Sequence, residues 1–315
     1  MPQLPVRGRL RLLLSCTLWP LLYAGGLAGA GMAFASDHPL PWFNAAYLAL
    51  AVTIGLFERL MPHEELWLRP DRETFDNLAH TALTKGLAVL GATAMTGIAM
   101  TAATAAEPAF RGSGPAWPDQ WPLAAQVGLG LVVAELGLYT AHRVAHQRLG
   151  FWRFHALHHS VGRLWVANTG RFHLVDSLWK IALGQTPLLL LGAPLPVFLW
   201  ISAVTATTGL LTHCNIELRT GPLDLVFSTP ALHRWHHSKM RDEGNRNFGE
   251  NLVLWDQILG TYFNPRRRPP AEIGIDGRIA RGFLRQLAQP FTGRGVRAIL
   301  GKPPTKAGGR DASRA

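Results

Sequence analysis

Three short clusters of histidine restrict how this chain can fold more than any other feature of its sequence. They lie between residues 142 and 237 of a 315-residue chain and hold eight of its 13 histidines. Within each cluster the spacing is one, three or four residues, and positions three or four apart share one face of a helix. We therefore expect each short helix to present its imidazoles to one common point. The clusters are His142 and His146; His155, His158 and His159; and His233, His236 and His237.

Imidazoles grouped in this way predict a metal site. Neutral imidazole binds iron, zinc, copper and nickel. Eight ring systems exceed the needs of one tetrahedral zinc ion, so we expect the set to hold two metals. An isolated histidine is usually a hydrogen-bonded core or surface residue, but three clusters are poorly explained that way, because imidazoles this close repel one another once protonated.

Long apolar stretches predict an all-α fold, a multi-span transmembrane helical bundle. Charged residues make up 16% of the chain, which is low against the ~25% of soluble proteins. A helix of about 20 apolar residues spans the hydrocarbon core. Such stretches cover residues 12–35, 43–61, 79–105, 121–141 and 178–212. A Gly–Pro break at residues 192–196 predicts that the last stretch forms two helices joined by a tight turn.

The first stretch allows a second interpretation, a cleaved signal peptide. Ala33, Phe34 and Ala35 have the small-x-small pattern of a cleavage site. The apolar run is long for a signal peptide, so we expect an uncleaved helix.

The distribution of basic residues predicts which side of the membrane carries the histidines. The segment from His142 to Lys180 contains six basic residues, whereas the loops 36–42 and 107–120 contain only Arg111. The positive-inside rule then predicts an integral membrane protein with a cytoplasmic, histidine-rich helical cap. The net charge of +11 fits contact with anionic membrane lipids, and we find no nucleic-acid-binding motif.

The chain divides into three parts on this interpretation. Residues 1–120 carry three N-terminal transmembrane helices, residues 121–264 form the catalytic domain, and residues 265–315 form a basic, partly disordered C-terminal tail.

The clusters and their surroundings resemble the fatty acid hydroxylase/sterol desaturase superfamily of integral membrane oxygenases. The resemblance runs from about Glu135 to Phe263. Three boxes carry it: Leu-Tyr-Thr-Ala-His-Arg-Val-Ala-His, Phe-Trp-Arg-Phe-His-Ala-Leu-His-His-Ser and Thr-Pro-Ala-Leu-His-Arg-Trp-His-His-Ser. Asn-Phe-Gly at 247–249 and Trp-Asp-Gln-Ile-Leu-Gly-Thr at 255–261 resemble the motif that closes the domain.

This resemblance implies a centre of two Fe ions, O2 as co-substrate and a lipid substrate that enters from the bilayer. It also adds His213 as an isolated ligand ahead of the third box. The implied iron ligands are His142, His146, His155, His158, His159, His213, His233, His236 and His237.

A second set of residues is expected to support these ligands. Glu135 lies seven residues before His142 on the same helical face, where it would orient a ligand histidine or pair with an arginine. His173 and Asp176 lie where the family usually has histidine followed by Pro-x-Glu, and here Leu174 and Asp176 replace those two residues. The supporting set is Glu135, His173, Asp176, Asn215 and Asp256.

The predicted function is a membrane-bound oxidoreductase that hydroxylates or desaturates a C–H bond of a sterol, fatty acyl or related lipid. The two cysteines are too few for an iron–sulfur cluster, and the sequence has no Gly-rich dinucleotide motif. We therefore expect an external electron donor of the ferredoxin or cytochrome type. Two alternatives stay open at this point: a membrane zinc hydrolase and a metal-ion transporter.

Overall fold

The computed structural model is helical and contains the predicted membrane bundle. It describes residues 6–300, apart from 88, 89, 92, 95, 96, 98–100 and 102–116. Among the described residues there is no strand, only isolated bridges such as Pro62 with Ile216. Five described helices are long and apolar enough to cross a membrane: α1 (Val6–Phe34), α2 (Pro39–Leu60), α4 (Leu123–Gln147), α6 (Leu174–Leu191) and α7 (Leu195–Thr212).

The helices α1 and α2 form a hairpin that packs onto α7. Trp19 and Ile54 are buried with Leu211 of α7 in one apolar core. Small residues allow this close packing, as where Gly29 of α1 faces Ala46 of α2. The segment that also has the pattern of a signal peptide therefore contributes to the core of the bundle.

The helices α4 and α6 approach each other even more closely. Gly137 of α4 lies directly against the backbone of α6, and a Cβ at this position would overlap the carbonyl oxygen of Leu183. The helix α6 ends at Gly192, which has a left-handed φ of 78°, and α7 begins after Pro194. The predicted break into two helices is confirmed.

A cap of short helices covers one end of this bundle. Its elements are α3 (Thr74–Ala79), α5 (Leu149–His159), α8 (Pro230–His236), α9 (Arg241–Gly244), α10 (Leu254–Ile258), α11 (Phe283–Ala288) and α12 (Gly293–Leu300). A π-helical segment, His80–Lys85, continues α3. Of the 27 residues of the predicted span at 79–105, 12 lie outside the described residues.

Residues 265–300, which the sequence assigns to a tail, pack onto this cap. The indole N–H of Trp67 donates to the carbonyl oxygen of Ala271 at 2.9 Å. The buried amide of Gln286 bonds His80 at 2.8 Å. These bonds join residues beyond 264 to the segment at 67–80, and residues 301–315 lie outside the described range.

The two ends of the bundle differ in charge. The described turns at the end away from the cap, residues 35–38, 117–122 and 192–194, contain no lysine or arginine. The cap carries many, including Arg163 and Arg234. The positive-inside rule requires an asymmetry in this direction if the cap is cytoplasmic.

Candidate metal centre

Nine histidines from distant parts of the chain meet where the bundle joins the cap. They form two groups, and within each group one ring nitrogen of every member lies within 4.8 Å of those of the others. The first group is His142, His146, His155, His159 and His236. The second group is His158, His213, His233 and His237. The sequence-predicted ligands are thus all brought together.

The first group is built where α5 packs against α4. An extended residue, Arg148, separates the two helices and changes the direction of the chain between them. The Nε2 atoms of His142 and His155 then lie 3.1 Å apart, and those of His146 and His159 lie 3.0 Å apart. The helix α8 supplies His236, whose ring packs 4.5 Å from that of His142, centroid to centroid.

The second group is built where α8 meets the end of α7. The Nε2 atom of His233 lies 3.0 Å from that of His213, which follows directly after α7. The Nε2 atom of His237 lies 3.1 Å from those of both His158 and His233. The buried guanidinium of Arg234 donates to the carbonyl oxygens of Cys214 and Ile216, and so fixes α8 to the segment after His213.

The second and third histidine clusters of the sequence each contribute to both groups, whereas the first cluster contributes only to the first group. The expectation that each cluster points to one common point is therefore wrong for two of the three clusters. His155 and His159 belong to the first group, whereas His158 belongs to the second. Likewise, His236 and its neighbour His237 point to different groups. Consecutive helical residues differ by about 100° in direction, so adjacent imidazoles can reach two separate points.

The outward ring nitrogens of five members are hydrogen-bonded to protein oxygen atoms. His142 Nδ1 donates to the carbonyl oxygen of Phe248, and His236 Nδ1 donates to that of Arg246, both at 2.8 Å. A carbonyl oxygen can only accept, so these rings carry their proton on Nδ1 and a lone pair on Nε2. The other three bonds join His155 to Asp176, His146 to Asn245 and His213 to Asn168, at 2.9, 3.1 and 3.0 Å.

This arrangement fits bound metals. The Nδ1 atoms of His142 and His155 both face acceptors, so their Nε2 lone pairs face each other 3.1 Å apart in a buried site. These lone pairs repel one another, and a cation between them relieves the repulsion. Burial lowers the pKa of His155, His158, His159, His233, His236 and His237 well below the usual value, with neighbouring positive charges adding to the effect. The rings are therefore neutral, which is the form that binds a metal. The Nε2 atom of His236 has no hydrogen-bond partner among the described residues.

Three of the predicted supporting residues act on the site, two of them indirectly. Asp176 bonds His155 as expected. Within the described residues, Glu135 makes no hydrogen bond or ion pair with a histidine or an arginine, contrary to both expectations. It accepts from the backbone N–H groups of Glu250, at 2.5 Å, and Asn251. Asp256 accepts from the N–H groups of residues 248 and 249 at 2.8 and 2.7 Å, and thereby positions the carbonyl that anchors His142.

The other two predicted supporting residues make their hydrogen bonds elsewhere. His173 caps α6: its Nδ1 accepts from Val175 N–H, and its Nε2 donates to Leu287 O, each at 3.1 Å. The side chain of Asn215 bonds both backbone polar groups of Glu64, at 2.9 and 3.0 Å. These residues fix the cap rather than the imidazoles.

Several residues at the site were missed by the sequence analysis. Asn168 and Asn245 lie in loops without a recognisable pattern, and the carbonyls of residues 246 and 248 leave no signal in side-chain identity. Lys180 and Glu250 also lie at the site, with Nζ and Oε1 2.6 Å apart. The run Asn-Phe-Gly-Glu at 247–250 is the one pattern that could have pointed to Glu250.

Two cavities reach the histidines from different directions. A large one of about 510 Å³ opens beside His146, His159 and His236 of the first group and is bordered by Lys239 and Arg241. A smaller one of about 50 Å³ lies between α6, α7 and the cap. Its lining includes members of both groups together with Lys180 and Glu250.

Comparison with known proteins decides the family. The family model "Fatty acid hydroxylase" matches residues 127–261, which contain all three boxes. Ornithine lipid hydroxylase OlsE from Rhizobium tropici is 62% identical over 296 residues, covering 94% of this chain and 89% of that protein. The chain belongs to the fatty acid hydroxylase family.

More distant members match only the part of the chain around the boxes. Alkylglycerol monooxygenase from Homo sapiens is 30% identical over 41% of this chain and 28% of its own length. Sphinganine C4-monooxygenase 1 from Arabidopsis thaliana is 26% identical over 51% of this chain and 63% of its own length. No solved structure matches the chain at a significant level.

Membership of the fatty acid hydroxylase family confirms the predicted activity in outline. The relatives are lipid hydroxylases and monooxygenases, and this protein is a membrane oxidoreductase that acts on a lipid. The comparisons favour neither a zinc hydrolase nor a metal transporter.

Proposed function

We propose that this protein is a di-iron, O2-dependent hydroxylase of an ornithine lipid. The observation that carries the proposal is the convergence of nine imidazoles in two groups, each close enough to hold one metal. Imidazole ligands suit iron, and the family resemblance favours it over the other metals that imidazole binds. The substrate is proposed from the similarity to Ornithine lipid hydroxylase OlsE, which extends over nearly the whole chain.

The five histidines of the first group would hold one iron and the four of the second group the other. Residues 121–264 would form the catalytic domain, because they contain every proposed ligand. Bound iron would supply the activation of O2 that an unreactive C–H bond requires. Overall, the C–H bond becomes C–OH, and O2 takes two electrons and two protons, so that its second oxygen leaves as water.

The chain itself would orient the ligands and exclude water. Asp176 and the carbonyl oxygens of residues 246 and 248 fix three rings of the first group in direction and tautomer. Members of both groups are almost fully buried beneath the cap. A dry site limits the loss of reactive species to solvent, and a fixed site holds one carbon within reach.

The two electrons would come from a separate ferredoxin- or cytochrome-type protein. The large cavity beside the first group opens on the side of the cap, and Lys239 and Arg241 border it. Positive charge there would attract an acidic donor and orient it. We place the cap in the cytoplasm, since the basic residues lie at this end of the bundle.

Purified protein in lipid nanodiscs can test the proposal. We expect two irons per chain by elemental analysis after anaerobic purification. Ornithine lipid, reduced ferredoxin and 18O2 should give a product with one labelled oxygen. An iron-free preparation should give none, and iron should restore turnover. The His38→Ala variant is the matched control, because this exposed histidine lies at the start of α2, away from both groups.

Three results would contradict different parts of the proposal. Zinc as the bound metal, with oxygen-independent turnover, would contradict the iron chemistry. Turnover of an alkylglycerol but not of ornithine lipid would contradict the substrate and leave the oxygenase intact. A reporter fused after residue 300 that is active only outside the cytoplasm would reverse the proposed orientation.

A further inference from the structure

A charged pair, Lys180 and Glu250, lines the small cavity. Oxidation of an aliphatic C–H bond would require only an apolar lining, so the pair needs another explanation. Lys180 is on the membrane-spanning helix α6 and is only 4% exposed. Its Nζ lies 2.6 Å from Oε1 of Glu250, whose side chain is 20% exposed. Charges at this depth are costly to bury, so their presence calls for a functional reason.

The pair is incompletely satisfied by the protein. An ammonium group has three N–H donors. Apart from the ion pair, neither Lys180 Nζ nor Glu250 Oε1 has a hydrogen-bond partner among the described residues. The Nδ1 atom of His142 lies 3.8 Å from Glu250 Oε1, too far for a hydrogen bond. The ring of Phe172, with its centroid 4.8 Å from Nζ, adds a cation–π contact but accepts no conventional hydrogen bond.

The pair is not needed to hold the loop that carries Glu250. The carboxylate of Glu135 accepts from the N–H groups of residues 250 and 251, and that of Asp256 accepts from those of 248 and 249. Gly249 packs so tightly that a Cβ would overlap the carbonyl oxygen of Leu252. The backbone is therefore fixed, and the Glu250 side chain remains available to contact a ligand.

The cavity also lies in the right place for a substrate. Its lining includes His142 of the first group and His158, His213 and His233 of the second. A group held between Lys180 and Glu250 therefore lies beside proposed ligands of both metals.

We infer that Lys180 and Glu250 form a subsite for the zwitterionic head group of the lipid, which rests on the proposed ornithine lipid substrate. An ornithine acylated on its α-amino group keeps one carboxylate and one side-chain ammonium. The carboxylate pairs with Lys180 and the ammonium with Glu250, so each protein charge exchanges one partner for another.

The size of the cavity requires the pair to part when the substrate enters. A volume of about 50 Å³ accommodates roughly three to five water molecules, which is too little for the whole head group. A neutral head group offers no charge to replace the broken pair and is rejected, because it would leave the buried Lys180 ammonium and the partly buried Glu250 carboxylate without partners. The pair thus selects for a ligand that carries both charges.

Derivatives of the substrate can test the two contacts separately. The methyl ester of ornithine lipid lacks the carboxylate charge, and the side-chain N-acetyl derivative lacks the ammonium. We expect wild-type protein to prefer the parent lipid over both. Lys180→Met should raise KM for the parent lipid by roughly tenfold or more and lose the preference over the ester. Glu250→Gln should lose the preference over the N-acetyl derivative.

The control is a pair with the same contact distance on the surface. Lys239 and Glu272 also lie 2.6 Å apart, but the Glu272 side chain is 83% exposed. The Glu272→Gln variant, which breaks this surface pair and leaves Lys239 in place, should keep the lipid preference of the wild type. Binding of the three lipids to iron-free protein, measured by native mass spectrometry, should show the same pattern in each variant, even if a substitution also lowers iron content.

The outcomes separate the subsite from the function on which it rests. Wild-type protein that neither binds nor hydroxylates ornithine lipid overturns the proposed substrate and the subsite together. Wild-type protein that hydroxylates it, with Lys180→Met and Glu250→Gln variants that keep both preferences, overturns the subsite alone.

Discussion

The two groups of histidines are held in different ways. In the first group, four of the five outward ring nitrogens bond an oxygen of the protein, as His155 bonds Asp176. In the second group His213 has such an anchor, whereas the Nδ1 atoms of His158 and His237 have none among the described residues. The ring of His158 instead stacks on Phe172, with centroids 4.2 Å apart.

This difference indicates that the two proposed metal sites would differ in how far their ligands can move. Hydrogen bonds to outward nitrogens fix the direction of a ligand and raise its basicity. The rings of the first group are thus held mainly by hydrogen bonds to their outward nitrogens. Those of the second group are held more by ring packing beside the small cavity. We expect the second group to have the more adjustable geometry, next to the place where the substrate would enter.

Removal of one ligand from each group should give the largest effects. His158→Ala leaves three ligands in the second group, and His236→Ala leaves four in the first. Both variants should lose turnover. By elemental analysis, His158→Ala should retain about one iron per chain and His236→Ala a value closer to two. Wild-type iron content and activity in either variant would remove that histidine from the site.

A methyl group at residue 249 should disturb the first group through Phe248. Gly249→Ala would force the loop away from the carbonyl oxygen of Leu252 and so move Phe248, the anchor of His142. We expect a stability loss of about 1–3 kcal/mol and reduced iron content, measured by thermal unfolding in detergent and elemental analysis. Gly150→Ala, which has open space around its Cβ position, should behave like the wild type. Equal behaviour of the two variants would contradict a rigid loop.

Loss of the carboxylate behind His155 should weaken the first site selectively. Asp176→Asn keeps the size of the side chain but removes its charge. The affinity for one of two irons should fall by roughly 10–100-fold, as measured by competition with a chelator. The exposed Asp37→Asn provides the control. Equal weakening of both irons would mean that the groups do not behave as separate sites.

The smallest effects should come from the two asparagines that anchor ligand rings. Comparing them shows whether the burial of an anchor or the group it belongs to determines its effect on iron binding. Asn168 is buried behind His213, whereas Asn245 is exposed beside His146. Water can replace the exposed amide but not the buried one. Asn168→Ala should weaken iron binding by about tenfold and Asn245→Ala by less than about threefold. The reverse order would show that anchoring matters only in the first group.

The sequence predicted that the clustered histidines come together, because their signal lies in side-chain type and helical spacing. It also predicted the five spans found among the described residues and the break before α7, since apolar run length and Gly–Pro residues have direct structural meaning. It did not predict how the clusters divide between two points, because that depends on the relative rotation of α5 and α8. Nor did it predict the role of Glu135, which bonds backbone groups about 115 residues away along the chain.

The main-chain anchors have a consequence for laboratory evolution of this enzyme. The oxygen that accepts the hydrogen bond of His236 is the main-chain carbonyl oxygen of Arg246, so it is present whatever amino acid stands at position 246. A codon-by-codon screen would score that oxygen as dispensable. Insertion or deletion of a single residue between 245 and 249 would instead shift every carbonyl in the segment, and such length changes are the way to expose its importance.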